Sequence, residues 1–154
     1  MSKKIKVAFQ GEMGAYSHLA CLEIFPNAET KACATFEEAF RLASNDSEFK
    51  IIIPIENSLA GRVADIHYLI PKYKLQIHAE HFQKVAHNLL GIKGATIKDI
   101  KNVRSHAQAI GQCSKMIFNN KLKPIISADT AGSAKFVAEQ KDKKESAIAS
   151  DLAA

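Results

Sequence analysis

The spacing of apolar and polar positions changes along this chain, and each change marks an element. Ile5-Lys6-Val7-Ala8-Phe9-Gln10 alternates and stops at Gly11, which predicts a first strand. Gly11 to Ser17 is a glycine-bearing turn. Ser17 is the expected N-cap of a helix through Ala20, Cys21, Ile24 and Phe25, stopped by Pro26. Glu29 to Ala34 reads as a short second strand. Thr35 and Glu38 then form a capping box before a helix that buries Phe36, Ala39, Phe40 and Ala43.

Ile51-Ile52-Ile53-Pro54-Ile55 reads as a strand buried on both faces, and it gives way abruptly to Glu56-Asn57-Ser58. Val63, Ile66, Leu69 and Ile70 follow at helical spacing, with Pro71 as the stop. An acid, an amide and a hydroxyl are thus expected where a buried strand meets a helix N-terminus. Ligands bind at that end of an open α/β sheet. The free backbone N–H groups of a helix start favour an anion there. The order β-α-β-α-β-α predicts a parallel sheet with right-handed crossovers.

After Pro71 the pattern shifts. Leu75 to Phe82 alternates and runs on loosely to Gly91, as one long strand or two leading into a second lobe. Thr96 to Asp99 has capping-box form before a very short helix. Ser105 and Gln108 make another capping box, opening a helix that carries Ala109, Gln112, Cys113, Met116 and Ile117. Pro124 to Ala128 is a strand, Asp129 to Ser133 opens a helix through Ala134, Val137 and Ala138, and Ser146 to Ser150 is a last strand. Asp151 to Ala154 is barely one helical turn. The domain reading is lobe one over 1–76 and lobe two, with the start of a return to lobe one, over 77–154.

Composition narrows the classes. Of 154 residues, 47% are hydrophobic and 24% charged, the balance of a globular chain and not a disordered one. No apolar run reaches the roughly 18 residues of a membrane helix. The basic Met1 to Lys6 leads into a strand and not into a signal-peptide apolar region, so a cytoplasmic location is expected. The net charge is +5, but eighteen of the 21 basic residues are scattered lysines and tryptophan is absent, which argues against a nucleic-acid face. That basic field still favours a small dianionic substrate. Cys21, Cys33 and Cys113 have no CxxC spacing and sit among apolar neighbours, as small buried hydrophobes do. His78, His81 and His87 match no zinc pattern and read as strand-surface or core histidines. For His18 and His106 helix packing outweighs proton transfer. Arg62 and Arg104 adjoin the polar motifs and suit either a carboxylate clamp or the surface.

Four segments together resemble prephenate dehydratase: Phe9 to His18 (FQGEMGAYSH), Pro54 to Ser58 (PIENS) with Gly61, Ser105 to Cys113 (SHAQAIGQC), and Asp129 to Ala134 (DTAGSA). Each is short, and their order and spacing carry the resemblance. It implies a two-lobed α/β fold like the type II periplasmic binding proteins, with an active site in the inter-lobe cleft. It implies conversion of prephenate to phenylpyruvate, water and carbon dioxide in phenylalanine biosynthesis, with no cofactor and no metal. Prephenate is the partner expected, with no nucleic acid and no membrane; a homo-oligomer stays open. The chain departs from the family at Ala60, where glutamate is usual, and at Ala107, where proline is usual. The family's Thr-Arg-Phe motif, whose threonine is its principal candidate acid, comes after the segment matching Ala147 to Ala154, and an ACT domain follows in many members. This chain is therefore expected to hold much of the site and to be inactive or impaired by itself.

Prephenate carries two carboxylates and a ring hydroxyl that must leave. Neutral donors hold such anions without neutralising the carboxylate that fragments. The resemblance makes Asn57, Gln112 and Glu56 the catalytic candidates. Tyr16, Ser17, Ser58, Ser105, Thr130, Ala131 and Ser133 become the substrate-binding ones. Ser17, Thr130 and nearby backbone N–H groups would bind carboxylates, while Asn57 and Gln112 would orient the ring hydroxyl. Glu56 would orient them, or act as an acid if burial raises its pKa. Plain helix capping competes for Glu56, Ser58 and Ser105, and a solvent-facing helix position competes for Gln112. The alternative to an enzyme is a non-catalytic module of the same fold that binds a small anion.

Overall fold

The computed structural model describes residues 4–154, which fall into two α/β units. The first takes the chain up to Glu12 together with Tyr16–Lys84, and the second takes Met13–Ala15 with Val85–Ala154. This is the two-lobed, periplasmic-binding-protein-like class expected from the sequence.

In the first unit, β1 (Lys6–Gln10), α1 (Tyr16–Ile24), β2 (Glu29–Cys33), α2 (Phe36–Asn45) and β3 (Phe49–Ile52) build a parallel sheet in the order β2-β1-β3. Lys6 lies opposite Glu29 on one side and Phe49 on the other. β1 is central, and its alternation serves two cores. Val7 and Phe9 pack with Cys21, whereas Ala8 packs with Cys33 and Ala39. Thr35 caps α2 as expected: Glu38 N–H donates to its hydroxyl at 3.1 Å, and the Glu38 carboxylate accepts from Ala34 N–H at 2.8 Å.

The isoleucine strand differs from expectation. β3 lies at the sheet edge, so Ile51, Ile52 and Ile53 are only half-buried and Ile55 is 38% exposed. No helix follows directly. A hairpin intervenes, with β4 (Glu56–Asn57) antiparallel to β5 (Gly61–Arg62), and α3 (Ala64–Tyr73) begins only after it. Pro71 does not stop α3 but lies inside it; the stop is Lys74, in the left-handed region at φ 53°. The expected strand over 75–82 is irregular, with Ile77 and Phe82 exposed, because no neighbouring strand takes its backbone groups. Ser17 sits inside the first turn of α1 and is not its cap, since the helix opens at Tyr16.

His18 on α1 is buried, stacks on Phe9 at 5.0 Å between centroids, and lies 3.3 Å from the Thr30 hydroxyl. Burial holds its pKa below the ordinary 6.5. A depressed folded-state pKa contributes stability above the unfolded value, and that contribution is lost as pH falls through the folded one. The first unit should therefore lose melting temperature between pH 7 and pH 5, and His18→Gln should flatten that loss. Parallel Tm curves for the two proteins would contradict this.

The second unit contains β6 (Asn88–Gly91), β7 (Asn102–Ser105), α4 (Ala107–Gln112), α5 (Ser114–Asn119), β8 (Lys123–Ile126), α6 (Thr130–Gln140) and β9 (Glu145–Ala149). The sheet order is β6-β9-β7-β8, with β6 antiparallel to β9 and the remaining pairs parallel. β9 is the buried spine. Ile148 packs with Val103, Ile117 and Leu122, while Ala147 and Ala149 pack with Ala134 and Val137. Pro124 is tolerated because β8 is an edge strand. The motif at 96–99 closes a turn and not a helix, with Asp99 accepting from the Thr96 N–H and hydroxyl at 2.8 and 2.7 Å. The expected single helix after Ser105 is two, broken at Cys113.

The division between units falls at Lys84 and Val85, not after residue 76. Glu23 on α1 explains the shift: its carboxylate holds His81 at 3.0 Å and Gln83 at 3.4 Å, which keeps that stretch with the first unit. Met13–Ala15 joins the second unit through Gly14, whose carbonyl accepts from the Ser150 hydroxyl at 2.6 Å. Gly14 has φ +92°, and a Cβ there would lie 3.0 Å from the Ala153 backbone. Glycine is thus required for both conformation and space. No helix among the described residues is long and apolar enough to cross a membrane.

Candidate functional site

The ten candidates divide evenly between the units: Tyr16, Ser17, Glu56, Asn57 and Ser58 in the first, Ser105, Gln112, Thr130, Ala131 and Ser133 in the second. Asn57 is the best-defined of them. It ends β4, and its Oδ1 accepts from Leu59 N–H at 3.0 Å and Ala60 N–H at 2.9 Å. These two bonds close the loop to Gly61, which takes φ +80°. They also fix the amide plane, leaving Nδ2 as a neutral donor with no acceptor among the described residues. Glu56 and Ser58 on either side are exposed. The three residues therefore sit on a hairpin and not at a helix N-terminus, so helix capping explains none of them. Arg62 lies opposite Glu56 in register. Tyr16 and Ser17 are half-buried in the first turn of α1.

In the second unit some hydroxyls are already engaged. Ser105 ends β7 fully buried and donates to the Ile148 carbonyl at 2.6 Å. The cap of α4 is His106, whose Nδ1 accepts from Gln108 N–H at 3.3 Å. Ser105 therefore ties two strands together instead of capping a helix. Ser105→Ala should cost about 1–2 kcal/mol of stability by leaving a buried carbonyl without that donor. Thermal melting checks this, and an unchanged Tm would contradict it. Ser133 is equally occupied, donating to the Asp129 carbonyl at 2.6 Å and touching the Ser127 hydroxyl. Ala131 is buried beneath the same turn.

Asp129 caps α6, its Oδ1 accepting from Gly132 N–H at 2.6 Å. That carboxylate already answers part of the helix's positive end, so the end is a weaker anion site than its sequence suggests. The half-buried Thr130 hydroxyl, by contrast, makes no hydrogen bond among the described residues. Gln112, the exposed last residue of α4, has its Oε1 2.9 Å from His87 Nε2. Arg104, for which the sequence left a carboxylate clamp or the surface open, is half-buried in β7 with its guanidinium carbon 4.1 Å from the centroid of the Phe136 ring, a stacking contact.

One feature of the first unit was not foreseen. A groove of about 480 Å³ opens where β1 and β2 end, lined by Gln10, Thr35, Phe36, Glu37, Asp65 and Tyr68 among others. Its only signal in the sequence was the strand-end rule itself. Glu37 there pairs with Lys72 and accepts from the Tyr73 hydroxyl at 2.9 Å, and these partners hold its carboxyl below the usual range. Two carboxylates make this groove a poor seat for a dianion.

Neutral donors not engaged among the described residues are the Asn57 amide in the first unit and, in the second, the Gln112 amide and the Thr130 hydroxyl. Among the described residues no group of three His, Cys, Asp or Glu side chains is placed to hold a metal ion. Cys21 and Cys33 are buried and Cys113 half-buried, all as free thiols. Burial pushes Cys21 up to about 12 and raises the other two.

Residues 7–154 match the family model for prephenate dehydratase. A bifunctional N-acyl-homoserine lactone acylase/prephenate dehydratase of Komagataeibacter europaeus is 43% identical over 148 residues, 96% of this chain and 53% of that protein. Arogenate dehydratase/prephenate dehydratase 1 of Arabidopsis thaliana, a chloroplastic protein, is 40% identical over 98% of this chain and 38% of its own length. Among solved structures GqqA, described as a novel type of quorum quenching acylase, superposes with a TM-score of 0.88 at 44% identity. The match covers 96% of this chain and 54% of that one. The chain spans about half or less of the length of these relatives.

Proposed function

The chain belongs to the prephenate dehydratase family, and from that premise we propose that it supplies the substrate-gripping part of an enzyme converting prephenate to phenylpyruvate in phenylalanine biosynthesis. The observation that carries this reading is the match to the family over residues 7–154. The reaction takes prephenate dianion and one proton to phenylpyruvate, carbon dioxide and water. The ring carboxylate leaves as carbon dioxide, its electron pair moves into the ring, and the protonated hydroxyl departs as water. Aromatisation supplies the driving force. The protein's task is to hold two anions and to hydrogen-bond the departing oxygen.

The neutral donors suit that task. A lysine or arginine pairing with the ring carboxylate would stabilise the charge that must be lost. Asn57 and Gln112 donate without doing so, and Thr130 offers a hydroxyl at a helix start. A titration of prephenate onto the folded chain tests the reading. Saturable binding that weakens with added salt is expected, since the ligand is doubly charged. No binding by a folded chain would contradict it. Binding with no phenylpyruvate formed, even by the intact protein, would favour the anion-binding module instead.

A second reading comes from one finding. The 43% identical relative from Komagataeibacter europaeus is named an N-acyl-homoserine lactone acylase as well. Cleaving an amide calls for an activated nucleophile. The three cysteines are held as thiols, and the Ser105, Ser133, Ser146 and Ser150 hydroxyls all donate to backbone carbonyls. These seven groups are thereby poor nucleophiles, which leaves the dehydratase the preferred reading. Release of homoserine lactone from an acylated substrate would reverse the preference.

A further inference from the structure

We propose that His87 is a positioning residue for Gln112, holding the glutamine carbonyl oxygen so that the amide NH₂ stays available to the substrate. The proposal rests on the reading of Gln112 as a residue of the dehydratase site. His87 Nε2 lies 2.9 Å from Gln112 Oε1. Oε1 can only accept, so a bond of this length requires the imidazole to carry its proton on Nε2. With Oε1 occupied, Nε2 of Gln112 is left with no acceptor among the described residues.

The two residues come from elements that fix them differently. His87 immediately precedes β6, whose first residue, Asn88, pairs with Ala149 of the buried β9. Its backbone is therefore anchored to the sheet, and its side chain is half-buried. Gln112 is exposed at the end of a six-residue helix, where the last turn frays most easily. A glutamine there has several rotatable bonds to freeze before it can serve as an aimed donor. The imidazole supplies that restraint before substrate arrives. It also decides which end of the amide faces out, because a flipped amide would put N–H against N–H.

The test compares kcat and KM for prephenate in the intact protein for His87→Ala, His87→Gln, Gln112→Ala and the His87→Ala/Gln112→Ala pair. His87→Ala should lower kcat about five- to tenfold with KM little changed, the range one lost hydrogen bond supports. His87→Gln, which restores a side-chain N–H donor, should recover most of that loss. In the Gln112→Ala background His87→Ala should add nothing. Unchanged kcat in His87→Ala, or losses that simply multiply in the pair, overturns the proposal. If Gln112→Ala alone leaves kcat and KM unchanged, the reading of Gln112 falls first and this inference with it, so the two failures are distinguishable. Nitrogen NMR of the unmutated protein gives a check independent of variant folding: a His87 ring protonated only on Nδ1 overturns the proposal.

Discussion

Asn57→Ala should lower kcat/KM for prephenate about 100-fold in the intact protein, the effect expected when a preorganised donor to a departing or developing oxyanion is removed. The size follows from how the amide is held. Leu59 and Ala60 N–H groups both donate to Oδ1, so Nδ2 is aimed without any cost at the moment of reaction. Alanine removes the donor and the loop closure together, so a second substitution separates them. Asn57→Asp keeps an acceptor for Leu59 and Ala60 but replaces the NH₂ with a negative oxygen. If Asn57 only shapes the hairpin, the aspartate variant should be near wild type. The donor role predicts that it is at least as impaired as the alanine variant, because a carboxylate repels a dianion.

Phe9→Ala should cost about 3–5 kcal/mol and unfold or nearly unfold the first unit. Phe9 is fully buried in the central strand, packs with Val7 and Cys21, and stacks on the buried His18. Losing the ring opens a cavity beneath a sheet of only three strands, which has little means of closing over it. Against a total stability of about 5–15 kcal/mol, that is a large fraction. A fall in Tm of at least ~10 °C is expected, read by circular dichroism or calorimetry. Phe118→Ala is the control: this ring is 82% exposed, so its removal should shift stability by no more than about 0.5 kcal/mol. Equal effects at the two positions would mean that the β1 core is wrongly described.

What the chain's pattern made legible was whatever depends on a repeating period or a local cap. The alternation of Lys6–Gln10 marked the central strand of the first unit, and Thr35 with Glu38 marked a helix start that forms as read. The small-residue run at 146–150 was legible as a strand, which forms over Glu145–Ala149, though not as the spine of its sheet, since rank within a sheet leaves no local trace. The errors share a cause. Four isoleucines around Pro54 suggested burial on both faces, but depth is set by neighbours, and β3 has a partner on one side only. The alternation over 75–82 had no partner at all, so it stayed irregular. Ser105 and Gln108 satisfy the capping-box pattern perfectly well in sequence. The backbone starts the helix one residue later, and the serine is drawn into the sheet by the Ile148 carbonyl. A tertiary hydrogen bond at a separation of 43 residues outranks a local rule.

The candidate site shows the same division. The short motifs located Asn57, Gln112 and Thr130 without stating what holds them. Asn57 turned out to be fixed by its own loop, which the Asn-to-Gly61 spacing could have announced as a turn. Gln112 is fixed by His87, distant in sequence, and nothing in the pattern of three nearby histidines singled that one out. The groove at Glu37 and Asp65 is assembled from strand ends and two helices, and no single stretch encodes it.

The role proposed for the neutral amide and hydroxyl donors of this chain is to serve the loss of carbon dioxide and water from prephenate. Following phenylpyruvate as it forms tests this most directly, in the intact protein and in its Asn57→Asp variant under identical conditions. Steady turnover by the former and a rate at least about 100-fold lower for the latter are expected. Equal rates in the two, or prephenate left unconverted by the folded intact protein, would contradict it.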